Sequence, residues 1–269
     1  MPVDLAASLE DFERRGYCIV EAGDRSMLDA LRCDIRDAMY QRLGAAARPP
    51  SATADPSASV GADLDEIHRH LATPEAADGL RLAVTPIIAG ALAANRRIFA
   101  AFRSHLEALV GADVLAQRVP NVVLQPPGHP TPTELHRDAP ANSAYEIVVW
   151  LPLVDCHDTK SMYVLDRSAT RDALALHRLR PDDREGFAGL LDARAELVSV
   201  PYGSALIFWS ALFHGSQVNR EPATRVSLNT RYKHLFAPLG MKDPFRYFEI
   251  LRTTQLTRLG LAFERDQDA

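Results

Sequence analysis

Cysteine is scarce in this 269-residue chain, and the three present, Cys18, Cys33 and Cys156, are far apart. An odd, dispersed set fits neither a disulfide framework nor a zinc knuckle. It reads as reduced thiols in a cytoplasmic protein. Positive charge is also in short supply. Thirty Lys and Arg face 35 Asp and Glu, a net charge of −5, which removes the electrostatic case for nucleic-acid binding. No run is apolar enough to span a membrane. The opening Met-Pro-Val-Asp-Leu-Ala lacks the basic and apolar regions of a signal peptide. Lysine is rare beside arginine, and alanine is abundant, which hints at GC-rich coding and no more. What the chain has is apolar content, 47% of residues, enough to bury the core of one domain with some elaboration.

The first 110 residues read as mostly helical. Leu5, Leu9 and Phe12 recur at helical spacing, Gly16 stops that helix, and Tyr17-Cys18-Ile19-Val20 is β-rich. Ser26 is placed to cap a second helix with Met27, Leu28, Leu31, Ile35, Ala38 and Met39 on one stripe. Residues 44–63 are rich in Ala, Pro and Ser and predict a surface loop, either a tolerated insertion or a lid. Residues 63–72 and 74–110 follow as helix, with Thr73-Pro74 as a start signal and Pro86 breaking the run. His68, His70 and His105 lie here without a metal partner in the pattern.

From about residue 113 the chain turns to short strands and turns. Val119–Leu124, Glu146–Val154, Met162–Leu165, Glu196–Val200, Ala205–Trp209 and Thr224–Tyr232 read as strands, with polar, partly helical connections over 170–193. Many short strands behind a helical lead predict a sandwich or barrel with helices outside. Asp243-Pro244 starts a C-terminal helix carrying Phe245, Phe248, Leu251 and Leu256.

The chemistry concentrates in Thr-Glu-Leu-His-Arg-Asp-Ala-Pro, residues 133–140. This stretch reads as a strand, on which His136 and Asp138, two apart, point to the same face. His214 supplies a third donor. Two histidines and a carboxylate can hold a divalent iron and leave one side open. Downstream, alternation puts Arg225, Ser227, Asn229 and Arg231 on one face of a strand and Val226, Leu228, Thr230 and Tyr232 on the other. The polar face is either solvent-exposed or the interior of a small-ligand barrel. An Arg with a Ser two positions on makes a natural clamp for a carboxylate.

His136-Arg137-Asp138, then His214, then Arg225-Val226-Ser227 resembles the iron(II)/2-oxoglutarate dioxygenase pattern. The entry Phe12-Glu-Arg-Arg-Gly-Tyr-Cys-Ile-Val20 resembles that of the phytanoyl-CoA dioxygenase-like branch. Leu135–Leu165 and Phe213–Pro238 are similar to oxygenases of carbohydrate and aminoglycoside biosynthesis clusters. The resemblance implies a single domain over residues 1–269: a helical lead over 1–112, a double-stranded β-helix (a cupin-like jelly roll) over 113–238, and a helical segment over 239–269. It implies His136, Asp138 and His214 as iron ligands, Arg225 and Ser227 at the distal carboxylate of 2-oxoglutarate, and Gln125 near its metal end. The reaction implied couples O2-dependent decarboxylation of 2-oxoglutarate to oxidation of a C–H bond. Related halogenases replace the carboxylate ligand by a small residue, so Asp138 argues for hydroxylation or a kindred oxidation.

The chain departs from the branch at Thr159-Lys160-Ser161-Met162-Tyr163 and Asp166-Arg167-Ser168, where relatives carry Asn-Gly and then Pro-Gly-Ser-His. Substrate contacts therefore do not transfer. Lys160, Asn229 and Arg231 are the candidates for a small polar or anionic substrate, set against ordinary structural hydrogen bonding. Arg231 lies six residues from Arg225, about 20 Å along a strand. It either recruits an anionic substrate group or pairs with an acid such as Glu146 or Glu134. Two other readings remain: a cupin-type metalloenzyme without 2-oxoglutarate, and a non-catalytic binding jelly roll. Both leave part of the Arg-X-Ser and triad pattern without a purpose.

Overall fold

The computed structural model describes residues 5–44, 56–139, 142–180 and 182–267. The helical lead opens with α1 (Leu5–Arg15), β1 (Tyr17–Glu21) and α2 (Arg25–Leu43). Asp24, rather than Ser26, caps α2: its carboxylate accepts from the Met27 N–H, and Ser26 donates to the same oxygen. Leu28, Leu31, Ile35, Ala38 and Met39 are the buried stripe. Within the expected loop at 44–63, residues 45–55 lie outside the described residues, so the lid reading does too. Its end is helical, as α3 (Pro56–Asp65), followed by a 3-10 turn at Ile67–His70.

Next come α4 (Ala76–Ala89), α5 (Ala94–Ala101) and α6 (Arg103–Val110). Pro86 does not break the run, because it sits inside α4. The carbonyl it leaves without a helical donor is that of Leu82, whose side chain is exposed. The break comes at Gly90–Ala93, where Ala93 adopts a left-handed conformation and the axis bends by 70°. No single helix among the described residues is long and apolar enough to cross a membrane.

The strands are β2 (Val114–Gln117), β3 (Asn121–Gln125), β4 (Glu146–Pro152), β5 (Met162–Val164), β6 (Glu196–Leu197), β7 (Ser204–Trp209), β8 (His214–Ser216) and β9 (Arg225–His234). Between β5 and β6 the expected polar connection is a pair of helices, α7 (Arg167–Leu179) and α8 (Arg184–Arg194). They enclose a small core of Leu165, Ala169 and Ala173 with Phe187 and Phe213 against it. The C-terminal segment is not one helix. A four-residue turn, α9 (Pro244–Tyr247), leads into β10 (Phe248–Arg252), and the helix α10 (Gln255–Gln267) comes only after it.

The strands form two antiparallel sheets. The larger runs β1-β7-β4-β9-β2-β10, and β3 also pairs with β9. The smaller runs β6-β5-β8. The long strand β9 organises the larger sheet: β4 covers one edge, while β3 and β2 share the other. Its apolar face meets the helices. Tyr232 packs on Phe99 of α5 and donates to the Asn95 carbonyl at 2.6 Å. Its other face carries Arg225, Ser227, Asn229, Arg231 and Lys233, and β4 adds Glu146 and Trp150 in register. That polar face is buried, as the barrel-interior reading requires. This is the jelly-roll architecture that the resemblance implies, with the helices outside as the strand pattern predicts.

Candidate metal centre and cosubstrate pocket

His136 reaches the site without a strand of its own. It makes one antiparallel bridge, in which His136 and His214 exchange both backbone hydrogen bonds at 3.0 Å. That bridge extends the smaller sheet and sets the two imidazoles 4.2 Å apart between ring centroids. Two residues on, the backbone N–H of Asp138 donates to the Ser210 carbonyl, which turns its carboxylate toward the rings. One ligand atom from each of His136, Asp138 and His214 lies within 4.8 Å of the others.

Both histidines are oriented from behind. Nδ1 of His136 is 2.8 Å from the Glu134 carbonyl, and Nδ1 of His214 is 3.0 Å from the Leu212 carbonyl. A carbonyl only accepts, so each Nδ1 carries the proton and each Nε2 offers a lone pair. Burial pushes the His214 pKa down to about 4, against the pull of the Asp138 carboxylate. At neutral pH its ring is therefore an uncharged donor. Two imidazoles and one carboxylate fit a divalent transition-metal ion, with the rest of its coordination sphere left to other ligands. His68, His70 and His105 join no such group among the described residues.

A cavity of about 270 Å3 adjoins the triad, lined by Asn121, Trp150, Met162, Arg225, Asn229 and Arg231 among others. Arg225 is 3% exposed, and among the described residues its Nη1 donates to the Ser161 carbonyl at 2.9 Å. Its Nε has no partner, and among the described residues no carboxylate pairs with it. Burial alone pulls its pKa down to about 10. A guanidinium left in that state is a standing demand for an anion. Ser227 lies two residues along, and its Oγ accepts from Trp150 Nε1 at 3.0 Å, which leaves its own O–H to donate.

The remaining candidates divide. Asn229 lines the cavity, and its Oδ1 is unpartnered. Gln125 sits opposite Arg225 in register. Its Nε2 donates to the Gln217 carbonyl at 2.9 Å. Lys160 is turned away from the cavity: it is buried, with its ammonium 2.5 Å from Asp65. Arg231 takes neither expected role in full. It does form a buried ion pair, but with Asp138 itself at 2.6 Å, while Glu146 faces Lys233 at 3.8 Å. Nothing in the sequence pairs Arg231 with Asp138, because that contact joins β9 to the strap around His136, 93 residues earlier in the chain. Asn121 was open to discovery, since alternation along β3 puts it on one face with Val123 and Gln125.

The sequence matches the phytanoyl-CoA dioxygenase (PhyH) family over residues 12–227, most of the chain. The chain belongs to the phytanoyl-CoA dioxygenase family. It is thus a non-haem iron, 2-oxoglutarate-dependent oxygenase. Among curated proteins, none matches it. Solved structures share its fold at low identity. A nickel complex of the non-haem monooxygenase ThoJ is 19% identical, covers 93% of this chain and 84% of its own, and gives a TM-score of 0.56. The epimerase SnoN, in complex with Fe3+, alpha ketoglutarate and nogalamycin RO, is 17% identical over 90% of this chain and 88% of its own, with a TM-score of 0.52. HygX from Streptomyces hygroscopicus, with nickel and 2-oxoglutarate bound, is 14% identical over 88% and 89%, also at 0.52. At these identities the likeness speaks for the fold alone.

Proposed function

We propose that this family member hydroxylates a small polar or anionic metabolite, sugar-derived in class. In this reading His136, Asp138 and His214 hold iron(II), and Arg225 with Ser227 holds the distal carboxylate of 2-oxoglutarate. The observation that carries it is the buried guanidinium of Arg225 in the cavity beside the triad, which pairs with no carboxylate among the described residues. An Arg–carboxylate contact there, with the Ser227 hydroxyl as an added donor, would satisfy the orphaned charge and fix one end of the cosubstrate. A cupin-type metalloenzyme gives that arginine nothing to do.

Iron bound at the triad would supply the activation of O2 that oxidises both 2-oxoglutarate and substrate. The protein's own part is position and exclusion. The backbone carbonyls behind each Nδ1 aim the imidazoles. Trp150, Met162 and Val123 give the cavity apolar walls that keep water out. Asn121 and Asn229 are polar groups within those walls, suited to hydroxyls or amides of a polar ligand. The structural neighbours include an epimerase and a carbocyclase, so the outcome at carbon is a separate question from the oxidant. Hydroxylation predicts a product with one added oxygen.

The test is an anaerobic titration of the purified protein with iron(II) and then 2-oxoglutarate. A weak visible charge-transfer band is expected on adding the second, and Arg225→Ala should shift its appearance to higher 2-oxoglutarate concentration. No band in the wild type would overturn the reading. Mass analysis of turnover with sugar-derived candidates then separates an added oxygen from loss of hydrogen or inversion alone.

A further inference from the structure

Asp138 has two carboxylate oxygens, and the fold treats them differently. Oδ1 lies 3.8 Å from Nε2 of His136, on the side of the other donors. Oδ2 accepts a 2.6 Å hydrogen bond from Nη2 of Arg231. The guanidinium is held in turn. Its Nη1 donates to Gln117 Oε1 at 3.0 Å and to the Tyr247 hydroxyl at 2.9 Å. Gln117 is anchored through its Nε2 to the Val119 carbonyl. Arg231 is 5% exposed and Asp138 8%, so solvent does little to loosen the pair.

A carboxylate beside a divalent cation can bind through one oxygen or through both. Bound through both, Asp138 would fill part of the coordination face that the cosubstrate needs. We propose that Arg231 is a positioning residue of the metal centre: by occupying Oδ2 it makes Asp138 a one-oxygen ligand and fixes which face of the centre stays open. This rests on the metal reading above. It also goes beyond the family match, which ends at residue 227, short of both Arg231 and Tyr247. The C-terminal segment thereby bears on the metal, since Tyr247 closes the far side of the guanidinium just before β10.

Arg231 exerts two opposed effects on a bound cation. Its charge repels the cation, and its hydrogen bond orients the ligand. Among the described residues nothing else holds the Asp138 side chain, so orientation dominates. Loss of such an outer partner commonly weakens metal binding about ten- to a hundredfold.

The test uses the full chain, stripped of metal and titrated with cobalt(II), whose visible bands report both affinity and coordination number. Arg231→Gln is expected to weaken cobalt(II) binding about ten- to a hundredfold and to shift the bands toward higher coordination. Arg231→Lys, which keeps a donor for Oδ2, should recover part of both. Tyr247→Phe frees one side of the guanidinium without removing charge. It should move affinity and bands the same way, to a smaller extent, and it carries the test if Arg231→Gln does not fold. Unchanged affinity and bands in folded variants overturn the proposal. So does tighter binding in Arg231→Gln, which would mean that only the charge is felt. Failure of the metal reading looks different: the wild type would not bind cobalt(II), or Asp138→Ala would bind it equally well.

Discussion

Arg225 and Arg231 share one strand face and one buried setting, yet they have opposite electrostatic fates. Arg231 spends its charge inside the protein: burial works against that charge, but Asp138 and Tyr247 outweigh the cost and raise its pKa. Arg225 pairs with no acid among the described residues, and burial lowers its pKa instead. The difference assigns them different work, and mutation should separate them. Arg225→Ala is expected to raise the 2-oxoglutarate concentration for half-maximal turnover about ten- to a hundredfold, the loss of a charge-assisted clamp of roughly 1.5–3 kcal/mol. Asp138→Ala should abolish oxidation, which product analysis would show at any 2-oxoglutarate concentration. The cysteines give a second residue-level outcome. Burial pushes the thiols of Cys18 and Cys156 up to about 12, while Cys33 is half-buried and only nudged upward. A thiol reagent on native protein at neutral pH should modify Cys33 first, with the other two reacting only on denaturation. Mass mapping of the first label on Cys18 or Cys156 would contradict the packing described.

At the scale of elements, the parts read correctly from sequence were those whose signal is local. The alternation on β9 survives intact, because a ten-residue strand with one apolar and one polar face allows a single register. His136 and Asp138 converge through the same alternation, although no strand forms there and single backbone contacts to His214 and Ser210 hold them. What sequence missed depends on partners far along the chain. Phe248–Arg252 carries too weak an alternation to declare itself, and it becomes β10 because β2 offers an edge. Gln125 stands opposite Arg225 because cross-strand register, which chain position does not reveal, decides its neighbour. The segment before α9 yields a prediction of its own. A Cβ on Gly240 would lie 2.2 Å from the Asn142 carbonyl oxygen, a backbone atom that cannot simply rotate aside. The Asn142 N–H in turn donates to the Asp138 carbonyl. Gly240→Ala should therefore cost roughly 1–3 kcal/mol of stability, seen as a lower urea midpoint with an unchanged slope, and it should also weaken cobalt(II) binding. A variant as stable as wild type would show that these two loops do not touch as closely as described.

For the whole molecule, the triad is a link between regions that are distant in the chain. His136 and Asp138 come from the strap after β3, held by single bridges and turn contacts. His214 comes from β8 of the smaller sheet, beyond α7, α8 and the four strands β4 to β7. A cation that engages all three closes that circuit and binds the folded chain alone, since the unfolded chain does not bring the donors together. Such a ligand stabilises by mass action, about 2.7 kcal/mol at a hundred times its dissociation constant. For a chain of 269 residues each kcal/mol moves the melting temperature by about 2–4 °C, so cobalt(II) or nickel(II) at that excess should raise Tm by roughly 5–10 °C. Adding 2-oxoglutarate should raise it further, because the cosubstrate draws on both the metal and Arg225. The variants then dissect the linkage. Asp138→Ala should lose the metal increment, and with it the cosubstrate increment that depends on metal. Arg225→Ala should keep the first and lose most of the second. A 2-oxoglutarate shift that is full-sized without any metal, or untouched by Arg225→Ala, would place the cosubstrate outside this cavity and dissolve the link between the two sites.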